Sequence, residues 1–299
     1  MAGGFSAIDL SQLPAPDAVQ AVDYETTLAA MLADLRARAP EFDALVESDP
    51  AFKLMEAAAY FKVLTLQRVN DAARAVMPAY SMAADLDQIA ARYGVVRLVI
   101  DAGDPAALPP IAPTLETDED LRRRMLLSFE GLSTAGPVGS YIFHALGADA
   151  DVADASVQSP APGEVLVTVL SRTGDGTATP AVIAAVLSVL NADEVRPLCD
   201  QVSVQAAEII TYAVSATLTV YPGPDSAVVR EAAEVAVRAY VDAQHRLGRD
   251  VTLSGLYAAL HQPGVQKVTL TEPAADLPLN DGQAAYCTGL NVQLGGVNV

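Results

Sequence analysis

The 299-residue chain is 52% apolar and strongly acidic, with 18 basic against 37 acidic residues and a formal charge of −19. Its length supports one large or two to three small domains with real cores, and the acidic balance argues against a phosphate-neutralising surface, which needs clustered Lys and Arg, so nucleic acid is not an expected partner. No apolar run reaches the roughly 18–20 residues of a membrane span, and the first residues, MAGGFSAIDL, lack the blocks of a signal peptide; the expectation is a soluble protein made in the cytoplasm.

Cys199 and Cys287 lie far apart, with no Cys or His in ligand spacing, so neither a zinc site nor a disulfide framework is expected and both should be buried free thiols. Trp is absent and aromatics are 5%, which leaves little for a stacking platform.

In chain order, residues 1–22, with Pro14 and Pro16, have no period and read as an extended arm. Ordering such an arm costs about 1–2 kcal/mol per residue, so another surface must hold it. A helix is predicted over 23–38, ending before Pro40, and a longer one over 51–77, closed by Pro78. On the longer helix Leu54, Ala58, Phe61, Thr65, Val69, Ala72 and Val76 form one stripe, with Met55 and Ala73 beside it. At about 1.5 Å per residue this rod is nearly 40 Å long, more than a small domain needs to cover its own core. It either packs within its own subunit or joins a bundle with helices of partner subunits.

A short helix over 85–93 follows, with Gly94 where a left-handed cap residue belongs. VVRLVI reads as a strand or extended lead-out, and the Pro-rich connector that follows is the best domain boundary. Thr117 and Asp120 form a capping box for a helix to about 130, GLSTAGPVGS is a flexible joint, and Pro137 opens a helix carrying Tyr141, Ile142 and Ala145 that ends near Gly147.

From Val152 the period changes to that of strands: VADASVQ and GEVLVTVLS, a helix over 179–190, a strand over 199–204, and then IITYAVSATLTVY. In that last stretch Tyr212, Val214, Ala216, Leu218 and Val220 share one side, and Pro222, Gly223 and Pro224 end it. The helix over 225–243 offers Val228, Ala232, Val235 and Ala239, with Val229, Ala236 and Tyr240, as a face for the sheet. A helix over 253–260 and the strand VQKVTLTE complete the pattern. The fold class is α+β: a helical N-terminal half with a long bundle helix, then a small mixed sheet with helices on one face, possibly ferredoxin-like. The corresponding division is an arm 1–22, a bundle-forming domain 23–102, a connector 103–116, a helical joint region 117–150, a sheet domain 151–272, and a tail 273–299 that is either a further strand or a second arm.

No residue set stands out as catalytic, cofactor-binding or metal-binding. RTGDGTATP joins a strand to a helix through Gly174 and Gly176 but lacks the Gly-Lys-Ser/Thr ending of a phosphate loop, so it reads as a solvent-exposed turn. His245, beside Arg246 and Arg249, complements a helix dipole, while His144 and His261 read as packing or surface residues. The carboxylates Glu116, Asp118, Glu119 and Asp120 suit a first helical turn and can pair with Arg122, Arg123 and Arg124. Ser128, Ser133 and Ser140 have no GxSxG elbow.

Several stretches, taken in order, resemble the baseplate J family of contractile phage tails: IDLSQLPAP, QRVNDAARAVM, DLDQIAARYGVVRLVI, FEGLSTAGPVGSY, VRPLCDQVSVQ, YPGP and AQHRLGRDVTLSGLYAALHQPGVQKV. The match spans nearly the whole chain and is looser at Cys199 and at the ending GLNVQLGGVNV. The resemblance implies a non-enzymatic structural component of the baseplate wedge, located in the virion and assembled in the host bacterial cytoplasm. In this family two J-type subunits join one I-type partner protein, and their helices form a common bundle. Six such wedges surround the hub and spike and connect to the sheath, with tail fibres attached further out; tailocins and related contractile injection devices use the same wedge. On this reading Leu54, Ala58, Phe61, Val69, Ala72 and Val76 form the partner-helix interface and no cofactor is required. A receptor-binding or fibre-network tail protein, rich in β structure and exposed aromatics, and a tail-associated hydrolase, with paired carboxylates or a metal, are the alternatives, and neither matches these residues.

Overall fold

In the computed structural model, which describes Leu10, Leu13, Pro16 and residues 18–42, 44–132, 137–223 and 225–297, two units form, one from 6–97 with 117–125 and the other from 98–116 with 126–299. Most of the predicted arm, including Pro14, and the centre of the predicted joint, including Ser133 and Gly136, lie outside the described residues, as does Pro224.

The first unit is helical. Asp23 caps α1 (Tyr24–Arg38) by accepting the Thr26 amide at 2.7 Å, and Arg36 and Arg38 in the last turn suit the negative end of the helix dipole. The long helix α2 (Pro50–Ala75) begins on Pro50, whose missing N–H is no loss there, and stops short of Pro78. α1 lies on α2 through Leu28, Leu32 and Ala59, with Tyr24, Met31, Phe52 and Met55 around them. α3 (Ala83–Arg92) buries Leu86, Ile89 and Ala90, and Gly94 sits at φ +69°, the predicted left-handed position. Ala83 opens α3 at φ +47°, where a Cβ is strained. Ala83→Gly is therefore expected to stabilise this unit by about 0.5–1 kcal/mol, read by denaturant unfolding. α4 (Asp118–Leu127) begins as the capping box predicts, with Thr117 accepting the Asp120 amide at 3.2 Å.

The second unit opens on a hairpin, β1 (Val99–Asp101) against β2 (Thr114–Leu115). The Pro-rich segment between them folds back on itself: Asp104 and Ile111 exchange two backbone hydrogen bonds of 3.0 and 2.9 Å. α5 (Val138–Ala148) follows, with Pro137 at its N-cap. Next come β3 (Val152–Gln158), β4 (Glu164–Ser171), α6 (Pro180–Leu190) and β5 (Gln201–Ala206). Then follow β6 (Glu208–Val220), α7 (Ser226–Gln244), α8 (Leu253–Leu260), β7 (Val265–Glu272) and β8 (Gln283–Val297).

The α+β class holds, but the strands make two three-stranded mixed sheets in place of one ferredoxin-like sheet. In the first, β4 is central, antiparallel to β3 and parallel to β5; in the second, β6 is central, antiparallel to β7 and parallel to β8. The C-terminal tail is thus an edge strand of the second sheet. Each sheet has its own core: Val165, Val167 and Val169 of β4 under α5 and α6, and Val214, Ala216, Leu218 and Val220 of β6 under α7 and α8. The alternation expected for β6, from Tyr212 to Val220, is the one observed.

The inward face of α7 differs from the expected one. Val229, Ala233 and Val237 are buried, while Val228 and Val235 face solvent at 62% and 64% exposure. Two apolar stripes about 140° apart run along this helix, and only the one that continues through Val241 meets the sheet. Cys199 is also a correction: it is exposed, in the turn that Asp200 closes onto Pro197 before β5, and Cys287 is half-buried on β8.

The two sheets are tied together. Arg246, just past α7, donates to the Ala153 carbonyl at 2.8 Å, and the Leu247 amide donates to Asp154 at 3.1 Å. Asp154 is buried on β3 and also accepts the Ala155 amide at 2.9 Å. Leu170, Ala207 and Ala284 form a small core between the sheets, with Ile209 and Leu247 against it.

Candidate partner-binding helix face

α2 has apolar residues on two sides. Ala59, Val63 and Asn70 are buried on the side facing its own unit, whereas Leu54, Ala58, Phe61, Val69, Ala72 and Val76 are all exposed. At about 100° per residue the buried set centres some 140° around the helix from the exposed set, so no rotation of α2 buries both against α1. The exposure is large where burial would count most: 71% for Leu54, 66% for Phe61, 55% for Val69 and 70% for Val76. Tyr60 and Leu64 are also exposed but lie to one side of this strip, and Thr65 at its middle returns its hydroxyl to the Phe61 carbonyl at 2.8 Å. All six residues predicted as an interface therefore share one continuous, solvent-facing strip.

The opposite face holds the end of the arm. Asn70 accepts the Gln20 amide at 3.1 Å and donates its own NH2 to the Gln20 carbonyl at 2.8 Å, which satisfies both peptide groups of an extended segment with one side chain. The sequence holds a signal for this contact. Asn70 is a polar residue on the helical stripe that contains Ala59 and Val63, where burial demands a hydrogen-bonded partner.

At the carboxylate cluster, sequence reasoning looked for partners in Arg122–Arg124 and missed Arg97. Arg97 donates to Asp87 at 2.7 Å and to Asp118 at 2.6 Å, while Arg122 is spent on the Pro78 and Ser81 carbonyls at 2.6 and 2.8 Å. Burial raises the pKa of Asp118, but the Ala83 amide and Arg97 outweigh it and hold the carboxyl below the usual carboxylate range. A depressed folded-state pKa adds stability that is present above the unfolded value and is lost as pH falls through the folded one. Asp118→Asn is thus expected to lower stability at pH 7 by about 1–2 kcal/mol and to flatten the acid limb of a pH–stability curve below about pH 4.

The glycine turn RTGDGTATP is exposed at Thr173–Asp175, as predicted, but Gly176 is buried. Gly176 has φ +97°, and a Cβ there would sit 2.6 Å from Leu170 and 2.9 Å from the His245 ring. The turn is a packing junction, with Thr179 capping α6. His245 is the C-cap of α7, as its position implied, and its Nδ1 lies 2.6 Å from the Ala285 carbonyl; a carbonyl only accepts, so Nδ1 carries the proton. Burial lowers the pKa of His144, which lies edge-on to Phe143. His261 caps the C-terminus of α8. Among the described residues no cluster of His, Cys, Asp and Glu is placed to hold a metal, and no helix is long and apolar enough to cross a membrane.

A helix with one apolar face packed in its own unit and another in water is an arrangement suited to subunits of larger assemblies. Family models match along the chain: the baseplate J-like N-terminal domain at residues 47–104, the baseplate J-like central domain at 133–206, and the baseplate J-like protein C-terminal domain at 212–293. The chain is 48% identical to baseplate protein J of Escherichia phage P2 over 296 residues, covering 97% of this chain and 98% of that one. The chain belongs to the baseplate J family, and is a structural protein of the baseplate of a contractile bacteriophage tail. It associates with other baseplate proteins. A cryo-electron-microscopy structure of the anti-feeding prophage baseplate is similar at TM-score 0.42 and 14% identity, over 61% of this chain and 44% of that chain.

Proposed function

We propose that the chain is a non-enzymatic wedge subunit, two copies of which assemble with one smaller I-type partner protein through a helical bundle that includes α2. The observation that carries this reading is the bare strip from Leu54 to Val76, opposite a face already used for the chain's own packing. Burying a Leu, Phe or Val side chain is worth about 1.5–3 kcal/mol each, so leaving four of them in water along one helix is a cost that a bundle would remove. The sheet domain over 152–272 then makes lateral contacts around the hub and spike, toward the sheath and, indirectly, the tail fibres. Two packings of similar energy, separated at the joint over 131–139, change when the baseplate is triggered.

The test is the mass of the complex formed when the chain is co-expressed with the other tail proteins, measured by size-exclusion chromatography with light scattering. Two copies of this chain with one smaller protein supports the wedge reading. A monomer that ignores every tail protein contradicts it.

A further inference from the structure

We propose that the helix received by the bare strip of α2 belongs to a partner whose own apolar stripe is bordered by carboxylates, and is not the α2 of a second copy. This rests on the bundle reading above and adds the chemistry of the occupant.

The argument is one of charge placement. α2 carries four cations and two carboxylates in a chain whose formal charge is −19. Both carboxylates are already used within the helix: Glu56 pairs with Lys53 at 2.8 Å and Asp71 with Arg74 at 3.8 Å. That leaves Lys62 and Arg68, both exposed and, among the described residues, with no ion-pair partner. At about 100° per residue, Lys62 and Arg68 lie roughly 60° to either side of the centre line of the strip, the flanking positions that set partner choice between packed helices.

These two cations discriminate between occupants. Thr65 lies midway between Lys62 and Arg68 and also midway between Leu54 and Val76, the two ends of the strip. A second α2 laid antiparallel about this midpoint brings Lys62 of the two helices together along one flank and Arg68 of the two along the other. A second α2 laid parallel and in register again brings cation to cation along both flanks. Like charges facing each other across a closing apolar seam are unfavourable, more so as water leaves. An acidic helix of similar length turns both contacts into attractions and also gains the apolar strip.

The test uses the full-length chain co-expressed with the other tail proteins, and separately with a tagged second copy of itself. Lys62→Glu with Arg68→Glu is expected to weaken the hetero-complex at least ten-fold without changing helix content or thermal unfolding, because both side chains are exposed. Lys62→Arg with Arg68→Lys keeps the complex, and the parent complex weakens as salt is raised from 50 to about 500 mM. A double reversal that binds like the parent overturns the acidic-partner inference. So does a self-complex of the parent chain that Phe61→Asp abolishes. Phe61→Asp separates the two claims: if it breaks the hetero-complex while the charge reversal does not, the bundle stands and the acidic flanks fall; if neither variant matters, the bundle reading fails with them.

Discussion

Replacing Phe61 and Val69 together with Asp is expected to cost at least a hundred-fold in the affinity of the chain for its baseplate partners, while its own unfolding free energy stays within about 0.5 kcal/mol of the parent. Both side chains are more than half exposed in this chain, so the folded subunit loses almost nothing when they become polar. In a closed bundle the same change removes two buried apolar side chains at about 1.5–3 kcal/mol each and forces two carboxylates out of water. Val63→Asp, two residues on from Phe61 and on the buried face, is the matched control: it puts a carboxylate in a buried apolar position and shows as lost stability. Affinity by pull-down or interferometry, with unfolding in parallel, separates the two faces of one helix.

The second large effect lies at the junction of the two sheets. Asp154→Ala is expected to destabilise the second unit by about 2–4 kcal/mol, since it leaves the buried Ala155 amide and the part-buried Leu247 amide without their acceptor. Asp154→Asn keeps one acceptor oxygen and is expected to lose about half as much, because the two amides now share it. The Ala variant should also free the segment around Arg246, which donates to the Ala153 carbonyl next door, and hydrogen exchange at Leu247 reports that directly.

Much of this fold could be read from local chemistry. The alternation from Tyr212 to Val220, the caps at Asp23, Thr117 and Thr179, and the left-handed Gly94 each depend on a residue and its immediate neighbours. What escaped depends on partners distant in sequence. Nothing in VADASVQ or the tail says that β3 joins one sheet and β8 another, and Asp154 looks like a solvent-side residue until Leu247 is brought to it. Arg97 reaches Asp118 across 21 positions, and Asn70 reaches Gln20 across 50.

The two helices with double stripes show the same divide. On α7 both Val228 and Val229 are apolar, so periodicity allows either to face the sheet, and the packing of Val237 and Val241 selects the second. On α2 the stripe from Leu54 to Val76 was legible, but Ala59 and Val63 offered a second apolar side. Which side faces α1 was decided by Leu28 and Leu32 meeting Ala59, and by the arm closing on Asn70.

The claim that the strip from Leu54 to Val76 is covered in the assembled baseplate is tested most directly by thiol labelling. Phe61→Cys in a Cys199→Ser background, where the exposed native thiol is gone, places one reporter in the strip. The rate of maleimide labelling is then compared between the free chain and the purified complex. Fast labelling of the free chain and at least ten-fold slower labelling in the complex is the predicted result, with Glu25→Cys on α1 reacting at the same rate in both. Equal rates at position 61 in the two states would contradict the assignment of this face to the bundle.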